Sequence, residues 1–150
     1  MTEQLSSHDP RLTAWRSFLR AHAQVVRELE RELQSDQQLA LTDYDVLVQL
    51  ANAGEHRLRM SELADRLLLS RSGATRLIDR LVAEGLVERT SCESDRRGQW
   101  ASLTDAGYDR LRRASPTHLR GVARHFLDHL STDDLAALER MLGTVVAERE

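Results

Sequence analysis

Five arginines in this 150-residue chain, Arg71, Arg76 and Arg80 followed by the adjacent Arg96 and Arg97, have the type and spacing to act on something outside the protein. A guanidinium is planar, permanently charged and forked, so it grips phosphates and paired acceptors in two parallel hydrogen bonds. The first three belong to the run S-R-S-G-A-T-R-L-I-D-R-L-V-A-E-G, which reads as a helix capped by Ser70 and stopped near Gly85. Its apolar face is Leu77, Ile78, Leu81 and Val82; its other face carries Arg71, Ser72, Thr75, Arg76 and Arg80. The last two sit in E-S-D-R-R-G-Q-W, between the strand-like runs 86–90 and 99–103. That pattern predicts a hairpin with a loop over residues 91–98, whose tip holds two cations that can pack against nothing of their own. Asp95 is expected to organise the loop by accepting hydrogen bonds, and Gly98 to permit the tight turn back.

The elements before the basic helix fit a known geometry. After Leu58 and Met60, Ser61 can cap a short helix burying Leu63, Ala64, Leu67 and Leu68. Two short helices joined by a brief turn, the second basic and amphipathic, outline a helix-turn-helix, and the hairpin that follows is a wing. Such a unit suits duplex DNA. The first turns of the second helix, with Ser70, Arg71, Ser72, Thr75 and Arg76, can lie against base edges in the major groove, while Arg96 and Arg97 reach the neighbouring minor groove.

The remaining elements are helical. Leu12, Trp15, Leu19, His22, Val26, Leu29 and Leu33 repeat at intervals of three and four, a three-heptad seam. Thr42 is expected to cap a second helix, with Val46, Leu47 and Leu50 on its apolar face and an end near Gly54. Thr104 and Asp105 start a long helix that could bend at Pro116 and carries Leu119, Val122, Phe126 and Leu130. Ser131 or Thr132, with Asp134, starts the last helix, with Leu135, Leu138, Leu142 and Val145 on its seam.

Composition narrows the classes. The net charge of -3 hides a distribution of -4 over residues 1–56, +3 over residues 57–113 and -2 over residues 114–150, so the middle is the basic part. All 21 cationic residues are arginine. No apolar run approaches the ~20 residues of a membrane span and the first residues lack a secretory layout, which predicts a cytoplasmic protein with no membrane partner; a DNA-binding role would place it at the nucleoid. The single cysteine, Cys92, cannot form an intramolecular disulfide, and no cofactor or resident metal is expected. An enzyme would need a nucleophile or paired acid and base in context, and there is no Gly-x-Ser-x-Gly, phosphate loop or His-Glu-x-x-His.

The run L-T-D-Y-D-V-L-V-Q-L, then M-S-E-L-A-D-R-L, then S-G-A-T-R-L-I-D-R-L-V-A-E-G-L-V-E-R resembles the second helix, third helix, and recognition helix with first wing strand of the multiple antibiotic resistance regulators (MarR). D-R-R-G-Q-W-A-S-L-T-D-A-G is similar to that family's wing signature at Asp95, Arg97, Leu103, Thr104 and Gly107. The resemblance implies a mainly α fold with a small β-hairpin wing, a winged helix-turn-helix flanked by N- and C-terminal dimerisation helices. It assigns residues 39–113 to the DNA-binding lobe and residues 9–38 with 114–150 to dimerisation. The dimer interface would contain Leu12, Leu19, Leu119, Val122, Phe126, Leu135, Leu138 and Leu142. It further implies a transcriptional regulator, mostly a repressor, that binds a pseudo-palindromic operator as a homodimer and is released by a phenolic or other amphipathic small molecule.

Other residues admit a sensing role beside an ordinary one. Trp15, His22 and Tyr44 are candidates for an effector pocket, or for helix packing. His118, His125 and His129, separated by seven and four residues, could ligate zinc or simply line a half-buried face. Cys92 could sense oxidants, although the family's peroxide sensors carry their cysteine on the first helix. A winged helix used only for protein contacts would have no need of Arg71, Arg76 and Arg97.

Overall fold

The structure, a computed structural model, describes residues 6–92 and 95–147, and of Cys92 and residues 95–97 the backbone alone. In chain order it contains α1 (Arg11–Gln37), α2 (Leu41–Ala51), a 3-10 turn (Gly54–His56), β1 (Arg57–Arg59), α3 (Met60–Arg66), α4 (Arg71–Ala83), β2 (Val87–Cys92), β3 (Asp95–Leu103), α5 (Asp105–His125), a second 3-10 turn (Leu127–His129) and α6 (Thr132–Ala147). The chain divides into two compact units. One is residues 33–118; the other is the described ends, up to residue 32 and from residue 119.

The central unit holds the core. Leu33, Val46, Leu47, Leu50, Leu63, Ile78 and Leu81 are wholly buried, and among the described residues Leu29 is the one core side chain outside this unit. The three strands form an antiparallel sheet in the order β1-β3-β2, with Leu58 paired to Ala101 and Val87 to Leu103 on its core side. Strand β1 was not expected, because three residues with one apolar position give no readable period.

Helix ends follow identifiable local rules. Ser70 caps α4 by accepting from the Gly73 amide at 3.0 Å. At the other end the Leu86 amide donates to Leu81 O and the Gly85 amide to Val82 O, both at 3.0 Å, with Gly85 at φ +75°. This Schellman closure turns α4 directly into β2. Helix α3 closes in the same way, Leu69 onto Ala64 and Leu68 onto Asp65, but with a leucine at the left-handed position, Leu68 at φ +55°. Leu67 is therefore only half-buried and Leu68 is 89% exposed, where burial of both was expected. The chain reverses at Leu68, so its side chain points away from the core, and no glycine marks the reversal in the sequence.

Four further expectations are corrected. Thr42 and Ser61 lie inside their helices, whose caps are Ala40 and Arg59 with no side-chain hydrogen bond, and α2 stops at Ala51 rather than at Gly54. Buried Leu41 draws the start of α2 two residues earlier. Val82, expected on the apolar face, is 38% exposed, because Ala74, Leu77, Ile78 and Leu81 already fill the buried stripe of α4.

Thr104 starts α5 as expected, its hydroxyl accepting from the Gly107 amide at 3.0 Å and donating to Gly85 O at 2.7 Å. The helix continues unbroken through Pro116. At α6 the capping box is complete: the Asp134 amide donates to Ser131 Oγ at 3.1 Å and the Ser131 amide to Asp134 Oδ2 at 3.2 Å.

In the unit built from the chain ends, α1 and α5 are clasped by Glu32. Its carboxylate accepts from His125 Nε2 at 2.8 Å and Arg124 at 3.1 Å, beside Gly121, whose missing Cβ would lie 2.9 Å from Glu32 Oε2. The His125 hydrogen bond, helped by Arg124 and Arg31, holds the Glu32 carboxyl below its ordinary 4.5. A carboxylate so depressed adds stability above its ordinary value and loses it as the pH falls through the lowered one. Thermal unfolding should therefore show the wild-type midpoint falling more steeply below about pH 4.5 than that of Glu32→Gln. Parallel acid limbs would remove the clasp from the stability of this unit. No described helix is long and apolar enough to cross a membrane.

Candidate nucleic-acid interface

Burial of one stripe of α4 leaves the other in solvent. Arg71, Ser72, Thr75 and Arg76 are exposed on the first two turns, with Gly73 and Ala74 turned inward. Ser70 is committed to the cap and shares its hydroxyl with Ser72 Oγ at 3.2 Å. Arg71 and Arg76 have no ion pair among the described residues.

The other arginines around α4 are occupied. Arg80 was expected to face a partner, yet its guanidinium pairs with the buried Asp43 carboxylate on α2. Its charge is offset inside the protein. Arg89, on the core side of β2, donates to Thr75 O at 3.2 Å and pairs with Asp79 at 3.1 Å, fastening the sheet to α4. Arg66 pairs with Glu62, and Arg57 with Glu55.

Beside the exposed turns of α4 lies an open groove of about 380 Å³, lined by Arg59, Met60 and Ser61 from one side, Arg71 and Thr75 from α4, and Gly98 and Gln99 from β3. Sequence reasoning missed Arg59, Ser61 and Gln99. The one available signal was the alternation Arg57-Leu58-Arg59, an apolar residue between two cations. Trp100, in sequence no more than a strand residue, lies under two guanidiniums, Arg57 at 4.6 Å and Arg59 at 5.3 Å from its ring centroid.

The wing differs from expectation. Strands β2 and β3 run further towards the tip than residues 90 and 99, β2 to Cys92 and β3 from Asp95. Pairing steps from Ser91↔Gln99 to Cys92↔Asp95, passing over Arg96, Arg97 and Gly98 as an irregularity within β3. Gly98 therefore belongs to a bulged strand, and not to the turn. The roles expected of the Asp95, Arg96, Arg97 and Cys92 side chains lie outside the described residues.

The candidate sensor residues are not brought together. Tyr44 is a core residue whose hydroxyl donates to Ser115 Oγ at 3.3 Å and whose ring lies 4.4 Å from that of His118. Burial pushes the His118 imidazole below its ordinary value, and its Nδ1 is buried with no hydrogen-bond partner. His125 is bound to Glu32, and His129 is exposed in a 3-10 turn. The described residues contain no group of three or more His, Cys, Asp or Glu placed to hold a metal. Trp15, Phe18 and His22 stack in a row along α1 at 6.1 and 6.3 Å. His22 and Phe18 line an apolar cavity of about 480 Å³ with Val26, Phe126, Leu138 and Leu142, whereas neither Trp15 nor Tyr44 lines it.

Three helices leading into a three-stranded sheet, with a basic exposed helix beside a groove and a hairpin, define a winged helix-turn-helix protein. The sequence pattern of the MarR family matches residues 37–98. AbsC, a MarR family transcriptional regulator from Streptomyces coelicolor, is 37% identical and superposes with a TM-score of 0.86 over 98% of this chain and 97% of its own. Sco3205, a MarR family transcriptional regulator from the same organism solved in complex with DNA, is 34% identical with a TM-score of 0.87 over 99% and 92%. The transcriptional repressor MprA of Escherichia coli (strain K12) is 32% identical over 100 residues, 67% of this chain and 56% of MprA. This chain belongs to the MarR family, a family of transcriptional regulators rather than enzymes.

Proposed function

We propose that this protein is a homodimeric, sequence-specific DNA-binding repressor, acting in the cytoplasm at the nucleoid. The observation that carries the reading is the acid-free first two turns of α4: Arg71 and Arg76, with Ser72 and Thr75, stand exposed beside a groove while every neighbouring arginine of β1, α3 and β2 other than Arg59 is paired to a carboxylate. Groups left unpaired on one face of a helix the width of the major groove suit base edges and phosphates. The wing arginines Arg96 and Arg97 would enter the adjoining minor groove. The likeness to Sco3205 in its DNA complex supports DNA as partner, and the likeness to MprA supports repression.

Residues 39–113 act as the reading lobe and the flanking helices as the dimerisation region. Support comes from the apolar surface those helices leave uncovered in one chain: Trp15, Leu19, Leu119, Met141, Val145 and Val146 are all exposed, and α6 has no buried residue. A monomer seldom leaves so many large apolar side chains open to water along its terminal helices. The cavity holding His22 among apolar walls suits an amphipathic effector.

Two measurements test the reading. Light scattering should give twice the mass of one chain. Anisotropy titrations on a duplex from the gene's own upstream region should give tight binding that weakens steeply with salt and is weakened further by Arg97→Ala. A stable monomer, or equal and salt-insensitive affinity for any duplex, would overturn it.

A further inference from the structure

Arg59 stands apart from the other arginines of β1, α3 and β2. It pairs in register with Trp100 across β1 and β3, so both side chains leave the same face of the sheet, opposite the buried Leu58 and Ala101. Its guanidinium lies over the indole at 5.3 Å, and Arg57 shares that ring at 4.6 Å. The two cations differ in what else they meet. Arg57 is neutralised by Glu55 at 2.5 Å, whereas Arg59 is exposed and has no ion pair among the described residues.

We propose that Arg59 is a backbone-phosphate contact of this protein and that Trp100 is its positioning residue. The assignment rests on the DNA-binding reading above. An aromatic face holds a guanidinium by its plane and leaves the N–H donors at its edge free, so the stack orients the group without cancelling its charge. Held at the rim of the groove that also contains Arg71 and Thr75, the donors face the space where a strand would pass a helix seated in the major groove. A phosphate suits them better than a base, because base edges are reached by α4 while the rim meets the backbone. Pre-ordering matters because a free arginine loses much rotamer freedom when it binds.

The test is the salt dependence of affinity for two duplexes, one from the gene's upstream region and a scrambled one of equal length. Arg59→Ala should make the slope of log K against log salt shallower by about 0.9 and weaken both duplexes alike, roughly five- to tenfold near 0.1 M salt. Arg59→Lys should keep the slope. Trp100→Leu, which changes no charge, should weaken binding when Arg59 is present and cause no further loss in the Arg59→Ala background, while Trp100→Phe restores most of it. An Arg59→Ala slope equal to wild type overturns the phosphate contact, and equal losses from Trp100→Leu in both backgrounds overturn the positioning role. Wild-type protein that forms no salt-sensitive complex with either duplex overturns the DNA reading itself, and this assignment with it.

Discussion

Arg71→Ala combined with Arg76→Ala is expected to weaken operator binding by roughly 30-fold to 10⁴-fold, taking about 1–3 kcal/mol for each base-directed arginine. Additivity is reasonable because the two guanidiniums are five residues apart on α4 and share no partner in the protein. The fold should not notice. Both side chains are exposed and neither makes an ion pair among the described residues, so the unfolding free energy should move by no more than about 0.5 kcal/mol. Arg80→Ala is the informative contrast: it leaves the buried Asp43 carboxylate without its partner, and so should lower the melting temperature with a smaller effect on DNA. Anisotropy titrations and thermal melts on the same preparations separate the two effects. If the double substitution left operator affinity intact, α4 would not be the reading element.

Gly107→Ala should be among the most damaging single changes available, costing about 3 kcal/mol or more. A Cβ at Gly107 would sit 2.1 Å from the Leu86 carbonyl oxygen, 2.7 Å from Leu103 Cδ1 and 3.1 Å from the Leu86 carbonyl carbon. Backbone atoms head that clash, and they are held. Leu86 O accepts from the Thr104 amide at 3.2 Å, and the Leu86 amide completes the closure of α4. Relief would have to move α5 away from the joint between α4 and β2, which is also the joint that sets the wing against the reading helix. In contrast, Gly143 in α6 has nothing of its own chain within 4 Å of an added Cβ, so Gly143→Ala should cost far less than Gly107→Ala. Urea titrations of both variants give the comparison. Equal midpoints would mean that the packing at Gly107 is looser than these distances require.

Much of the scaffold was legible because the signals are local. Ser70, Gly85, Thr104 and Ser131 act within four residues of themselves, so their capping roles follow from sequence neighbours alone. The buried stripe of α4 at Leu77, Ile78 and Leu81 could be read for the same reason, as could the exposed arginines of its first two turns. Errors arose where a local signal was missing or misleading. Leu68 takes a position that glycine usually marks, Thr42 and Ser61 look like caps but lie one residue inside helices that start early, and β1 is too short to show a period.

By itself, then, the sequence determined the class of fold and the helix that faces outward, since periodicity, capping and turn chemistry depend on residues a few positions apart. Which cations remain available was decided by tertiary structure. Arg80 is offset by Asp43, 37 positions earlier, Arg89 is spent on Asp79 and Thr75, and Arg59 is set beside Trp100, 41 positions later, by the pairing of β1 with β3. The physical reason is that a charge is cancelled by whatever lies within about 4 Å of it, and that neighbour is chosen by the packing of whole elements, which no local window of the chain contains.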